Sequence, residues 1–329
     1  MSLNSFTQEM DNLYTTTYQL RKAEIVDNIF NATPFFKMLT AAGHRKTENG
    51  GPKIPVSLMY GKNETVKFFG KGDTMELADH EFLTTAFFDW KYLAGSLTRY
   101  FVDEQMNRGK GKIKDMVTSK IDNLQTSLVD KMETALFADG TGDAGKAIDG
   151  LGNLVAIDPT TGTVGMINRA NYSWWRNQIK DMSALSASVN LRKEMSHMFN
   201  TCGKQGEGIS RYPTIIICAQ DVYELYEDEL TEIRQIATNK GIADLGFGEL
   251  AFKGRPMTWS PSCPSGYLYM LNLNFINWTA DPIANFDITE WKGVPNQIKD
   301  RVAEIVSVGN MTMSNCKRHG VMWGCATVA

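Results

Sequence analysis

The chain has 329 residues, 43% of them apolar and 22% charged, which is long enough for one large domain or two ordinary ones around a sizeable core. Its formal net charge of −3 lacks the basic excess that accompanies binding through phosphate contacts, and this argues against sequence-specific recognition of nucleic acid. No apolar run reaches the ~18 residues of a membrane span, and the polar start from Met1 to Leu20 does not have the form of a secretory signal.

Residues 1–50 read as an arm rather than a domain. Their apolar residues are sparse and irregularly spaced, with short helical turns expected around 20–30 and 34–41, the second begun by Thr33-Pro34. The polar segment 44–53 ends in Gly-Gly-Pro and reads as loop. Residues 54–98 are strand-like: two short runs at 54–60 and 65–69, a glycine-bearing tip at Gly70–Asp73, an acidic stretch through Glu81, and an extended run from Phe82 to Leu97. A two-stranded excursion of this kind cannot bury both faces on itself, so it must lie on its own domain or on a neighbouring chain.

Residues 112–138 carry the strongest helical pattern. Ile113, Met116, Val117, Ile121, Leu124, Leu128, Met132, Ala135 and Leu136 recur at three- and four-residue spacing, and Asp139-Gly140 ends the run. An unbroken helix there would be a rod of roughly 40 Å. Residues 139–165 read as loop, 171–182 and 186–200 as helices, 213–218 as a buried strand and 221–237 as a helix. Strands are expected from 250 onward, at 266–272, 286–291, 301–308 and 319–325. The order gives an α+β fold without regular βαβ alternation.

The motifs that could carry chemistry are weak. Gly140–Lys146 satisfies GxxxxGK, but a phosphate-binding loop needs a strand before it and Ser or Thr after the lysine, whereas a helix precedes this one and Ala147 follows. Asp221, Glu224, Asp228 and Glu232 share a helix face and read as a solvated acidic surface. At least one of Trp174 and Trp175 belongs to a core. Cys202, Cys218, Cys263, Cys316 and Cys325 include no CxxC pair, so reduced thiols in a cytoplasmic setting are expected, with neither a zinc site nor a disulfide framework. His44, His80, His197 and His319 stand singly and read as surface or hydrogen-bonded residues. No nucleophile, base and orienting group assemble into a motif, so no enzyme, cofactor or metal is expected. The cations Arg108, Lys110, Lys112 and Lys114 open the long helix, where they oppose its dipole. Either they are a solvated cluster, or they meet acidic groups on another copy, for which Asp73, Glu76, Asp79 and Glu81 near the hairpin tip are the candidates.

Four blocks then resemble a known family. Residues 97–142, 150–178, 213–230 and 252–272, in that order, are similar to the spine-helix and axial-domain segments of tailed-bacteriophage major capsid proteins with the Hong Kong 97-type fold. The resemblance implies an N-terminal arm at 1–53, an extended β-hairpin loop at 54–97 lying over a neighbouring subunit, a peripheral domain with its spine helix from 98–139 and 276–329, and an axial domain at 140–275. It implies a subunit that assembles as hexamers and pentamers into an icosahedral head, located in the virion after assembly in the bacterial cytoplasm. Packaged double-stranded DNA would be contacted non-specifically and no membrane would be involved. Phe68, Phe69, Lys71, Asp73, Glu76, Asp79, Arg108, Lys110 and Lys112 are the candidate assembly contacts. The arm begins close to Met1, unlike members with a fused scaffolding segment, so a separate scaffolding protein and a portal are the expected partners. The alternatives are an encapsulin-like nanocompartment, which shares the fold, a tail-tube or other structural subunit, and, from another class, a nucleotide-binding enzyme built on residues 140–146.

Overall fold

The apolar stripe expected from residue 113 folds as a single helix, Lys110–Phe137, of 28 residues. It is the spine of a computed structural model that describes residues 3–32, 34–61, 65–74, 81–106, 110–184, 187–204, 211–231, 250–297 and 299–325. Val117, Ile121, Leu128, Met132 and Leu136 are buried along one side of the spine, as their spacing requires. The helix stops where Gly150 comes back against it. A Cβ there would lie 2.3 Å from the carbonyl oxygens of Ala135 and Ala138, an approach that only glycine permits.

Two six-stranded sheets flank the spine. The first is organised on Arg301–Met313. Lys91–Arg99 runs antiparallel along one edge of it, from Arg99 opposite Arg301 to Lys91 opposite Gly309. Ile276–Ala280, Asp287–Ile288 and Lys292–Gly293 follow the other edge, and Arg45–Thr47 adds parallel to Ile276–Ala280. The second sheet runs in the order 178–181, 320–323, 268–271, 215–218, 255–259, 251–252. Both of its faces are covered, which explains why Ile215–Cys218 and Leu268–Leu271 are apolar throughout. Ile216, Cys218, Leu268 and Met270 pack under the helices Ala187–Gly203 and Gln220–Thr231. Ile215, Ile217, Tyr269 and Leu271 face the larger core that includes the spine. One parallel crossover is present, from Ile215–Cys218 through the helix Gln220–Thr231 to Arg255–Trp259, but helices and strands do not alternate regularly, so the fold is α+β, as expected.

Several sequence readings need correction. Residues 171–182 are not a helix: Ser173–Trp175 makes one 3-10 turn and Gln178–Asp181 is a strand, paired parallel with Gly320–Trp323. Tertiary bonds override the helical spacing there, because the Trp175 indole donates to the Val164 carbonyl at 3.0 Å and Arg176 donates to the carbonyls of Arg169 and Ala170. The expected strand 286–291 is two short pieces, Asp287–Ile288 and Lys292–Gly293. The run 82–97 is divided. Leu83–Phe88 pairs with Ile54–Met59 as a hairpin, whereas Lys91–Arg99 joins the first sheet. The corner between them is pinned by the Asn310 amide on the Asp89 carbonyl, by the Trp90 indole on the Gly51 carbonyl and by a Lys53–Asp89 ion pair at 2.8 Å.

The largest correction concerns the N-terminus. Leu3–Ala32 is one helix of 30 residues, followed by the expected short helix at Pro34–Ala41. The sequence reading had this segment too poor in core to be buried without other copies. Instead Met10, Tyr14 and Tyr18 form a buried stripe at four-residue spacing, and Phe35, Phe36 and Leu39 join the same core. The Tyr18 hydroxyl donates to the Phe286 carbonyl at 2.8 Å, Tyr14 meets the Trp291 ring edge-on, and Arg21 pairs with Asp122 of the spine at 2.7 Å. Asp11 is clasped by Arg99 and Arg301 from adjacent strands of the first sheet.

Candidate assembly surface

The hairpin Ile54–Met59/Leu83–Phe88 is anchored on one face only. Ile54, Leu58, Ala86 and Phe88 point inward and are buried, while Met59, Leu83 and Phe87 point outward and are exposed. The inner face lies on the small two-stranded unit Thr163–Val164/Ile167–Asn168. Phe87 N–H donates to the Gly165 carbonyl at 3.0 Å. Gly165 has a φ of +57°, and a Cβ on it would stand 2.8 Å from that of Ala86, so glycine sets how closely the hairpin sits.

Beyond the paired strands and Tyr60, which stacks on Trp174, the described loop residues 66–74 are all exposed. Val66 is 81% exposed, Phe69 70% and Phe68 fully so. Lys71 and Asp73 are exposed, and Asp73 accepts the Gly70 N–H at 2.6 Å, closing the tip of the loop. Three large apolar side chains displayed together in water mark a contact surface. Glu76, Asp79 and the whole of Arg108 lie outside the described residues. Lys110 and Lys112 stand in the first turn of the spine helix, but their side chains also lie outside the description. The structure therefore brings Phe68, Phe69, Lys71 and Asp73 to one loop and leaves their meeting with the basic cluster untested.

Sequence reasoning missed part of this surface. Met59, Leu83 and Phe87 carry it down the outer face of the hairpin, and Tyr92 extends it to the first sheet. Strict alternation in the hairpin strands was the available signal, since Phe87 and Phe88 must face opposite ways. A pocket of about 180 Å³ opens beside Tyr92, between Lys91–Arg99, the spine helix and the 143–148 turn. Its floor is apolar, with Leu93, Met132, Ala135, Ile148 and Trp278, and its rim carries Lys91, Lys131, Lys146 and Asp143.

The residues considered for chemistry are accounted for by structure. Gly140–Lys146 leaves a helix rather than a strand, Asp143 and Ala144 have left-handed backbones, and Lys91 donates to the Gly145 carbonyl. Asp221 accepts from Ser265 and from the Gly266 N–H, which ties a helix start to a loop. Glu224 and Asp228 are exposed, and Glu232 lies outside the described residues. Among the described residues no cluster of His, Cys, Asp or Glu could hold a metal ion. All five cysteines are buried and unbridged, and burial pushes the thiols of Cys202, Cys316 and Cys325 up to about 12. Trp175 is a core residue, as expected of one of the pair. His319 is wholly buried. Its Nδ1 accepts the Asn272 N–H at 3.2 Å, and burial with the Arg318 charge beside it pushes its pKa down to about 3.

No protein-family model and no curated protein matches the chain. Solved structures do. The chain is similar to the capsid asymmetric unit of cyanophage A-1(L), with 17% identity and a TM-score of 0.67 over 88% of this chain and 92% of that chain. The fold is that of a Hong Kong 97-type capsid subunit. A likeness to the structure of Mycobacterium phage Adephagia has 10% identity and a TM-score of 0.54, covering 88% of this chain and 91% of that one. An encapsulin complex from Synechococcus elongatus matches at 8% identity with a TM-score of 0.50, over 90% of each chain. In this fold the spine helix, the hairpin and the two sheets occupy the order read from the sequence.

Proposed function

We propose that the chain is the major capsid protein of a tailed bacteriophage, a subunit that assembles with its own copies, as hexamers and pentamers, into an icosahedral head around double-stranded DNA. The observation that carries the proposal is the loop tip, where Val66, Phe68 and Phe69 are held in water at the end of a hairpin whose root is buried. Residues 1–53 serve as the arm, 54–97 as the extended loop, 98–139 with 276–329 as the peripheral domain, and 140–275 as the axial domain. Phe68, Phe69, Lys71 and Asp73 meet a neighbouring copy, and the acidic run through Glu76 and Asp79 meets the cations Arg108, Lys110 and Lys112.

The apolar pocket beside Tyr92 is the surface of the neighbour that suits the ring of Phe68 or Phe69. A chain cannot fill its own pocket this way, because six paired residues in each hairpin strand carry the tip about 20 Å from the corner where the pocket lies. A patch on one copy entering a pocket elsewhere on the next is a heterologous contact, which closes into rings when the rotation allows. The proposed partners are a separate scaffolding protein, a portal and DNA held without sequence preference, the last in keeping with the net charge of −3. Assembly in the bacterial cytoplasm is in keeping with five unbridged thiols.

A second reading, an encapsulin-like nanocompartment, draws support from the likeness to the Synechococcus shell. Electron microscopy of the protein, produced alone and with its genomic neighbours, tests both. Closed icosahedral particles holding nuclease-protected DNA are the expected result. Closed particles loaded with a protein cargo and no DNA favour the second reading, and a subunit that stays monomeric under every condition contradicts both.

A further inference from the structure

At the loop end of the hairpin strands, where Met59 pairs with Leu83, a cavity of about 360 Å³ lies between the hairpin and the second sheet. That volume falls in the range of small-molecule sites. Its walls differ from those of the pocket beside Tyr92. One is aromatic, with Tyr60 stacked on Trp174 at 5.0 Å between ring centres and nearly parallel planes. The other is cationic: Lys204, Lys317 and Arg318 all line the cavity and none of its described lining residues is acidic. Among the described residues no carboxylate pairs with any of the three.

Arg318 is the decisive member. The residue is only 9% exposed, and its Nη1 reaches the carbonyl oxygens of Cys202 and Arg211 at 3.5 Å each, the outer limit of a hydrogen bond. Burial and then the neighbouring Arg211 guanidinium hold Arg318 below its ordinary pKa, the sign of a cation short of negative charge. A guanidinium fork presented beside two ammonium groups, with no carboxylate among the described residues paired to them, suits a tetrahedral oxyanion. The aromatic wall would add a surface on which a planar ring can stack.

We propose that this cavity binds a phosphate group, free or carried by a mononucleotide, through Arg318, Lys204 and Lys317. Because Tyr60 follows the first hairpin strand and the cations belong to segments around the second sheet, an occupied site would tie the loop end of the hairpin strands to the body of the subunit. The site lies within one copy, so it stands or falls independently of the shell reading.

The test is calorimetric titration of the full-length subunit with inorganic phosphate and with adenosine monophosphate, at an ionic strength held constant with chloride. Saturable binding is expected, weakened tenfold or more by the double substitution Lys204→Gln/Lys317→Gln, whose side chains leave the core untouched. Arg318→Gln should abolish binding, and its thermal melting checks that it folds. Tighter binding of the nucleotide assigns the aromatic wall to a base, whereas equal affinities assign the site to phosphate alone. The proposal is overturned if neither ligand binds, if the double variant binds as the native chain does, or if only particle formation responds to the substitutions, which would give the cations to a carboxylate of another copy.

Discussion

The N-terminal helix and the extended hairpin look alike as sequences: both leave the body of the chain and both carry few apolar residues. The structure treats them in opposite ways. Tyr14 and Tyr18 of the helix are completely buried against the first sheet and the spine, while Phe68 and Phe69 of the hairpin loop are bare. Geometry makes the difference. A long helix gathers widely spaced apolar residues onto one stripe, and Met10, Tyr14 and Tyr18 suffice to seat it. A two-stranded ribbon has two faces, and here only the one bearing Ile54, Leu58, Ala86 and Phe88 finds a surface within the chain. The helix is therefore part of the folded subunit, and the hairpin tip is left in water.

The strongest way to break this contrast is to unseat the helix. Asp11→Ala removes the carboxylate clasped by both Arg301 and the almost wholly buried Arg99, and removing one member of a buried ion pair costs about 3 kcal/mol or more. Urea unfolding should show that loss, and limited proteolysis should cut first within residues 3–32. An unchanged midpoint would mean that the helix contributes little to the subunit and resembles the hairpin after all.

Acid probes the body on which both segments rest. His319 has its pKa pushed from 6.5 to about 3 in the folded chain, so between those values the unfolded chain binds more protons. Stability should fall as pH drops below about 6.5, with a slope approaching 1.4 kcal/mol per pH unit, until the loss is complete near pH 3. His319→Gln should flatten the thermal midpoint across that window, and a slope that persists in the variant would assign it to other groups.

A smaller effect separates the helix from the hairpin. The hydrogen bond from Lys22 holds the Asp287 carboxyl below its usual range, so the tether is fully present at and above the ordinary carboxylate value of 3.8 and is lost as pH falls below it. Asp287→Asn should remove the acid dependence of proteolytic release of the helix below that value, while cleavage in the hairpin loop is the same in both proteins. The smallest effect belongs to the tip itself. Phe68→Ser with Phe69→Ser should leave the stability of the isolated subunit within about 0.5 kcal/mol in urea unfolding, because both rings are largely exposed.

The parts legible in the sequence are those governed by local periodicity. The spine helix followed from its stripe, the strand at 213–218 from an apolar run too short for a helix, and the hairpin from its turn signals. What could not be read depends on distant partners. The Asp11 clasp joins residues 88 and 290 positions apart, and Asn310 binds both Asp89 and Asp149 across the fold. Neither has a local signature. The helical spacing of 171–182 was real but lost to the edge of a sheet. For the candidate surface, Phe68 and Phe69 were legible as apolar residues in a turn-rich tip, whereas the cavity at the loop end of the hairpin strands depends on Tyr60, Lys204 and Arg318 meeting from three separate segments.

Electron microscopy of particles formed by the native chain and by the Phe68→Ser/Phe69→Ser variant, produced under identical conditions, tests the central claim most directly. The account predicts closed icosahedral shells from the native chain and folded but unassembled subunits from the variant. Intact shells of normal size and yield from the variant would contradict it.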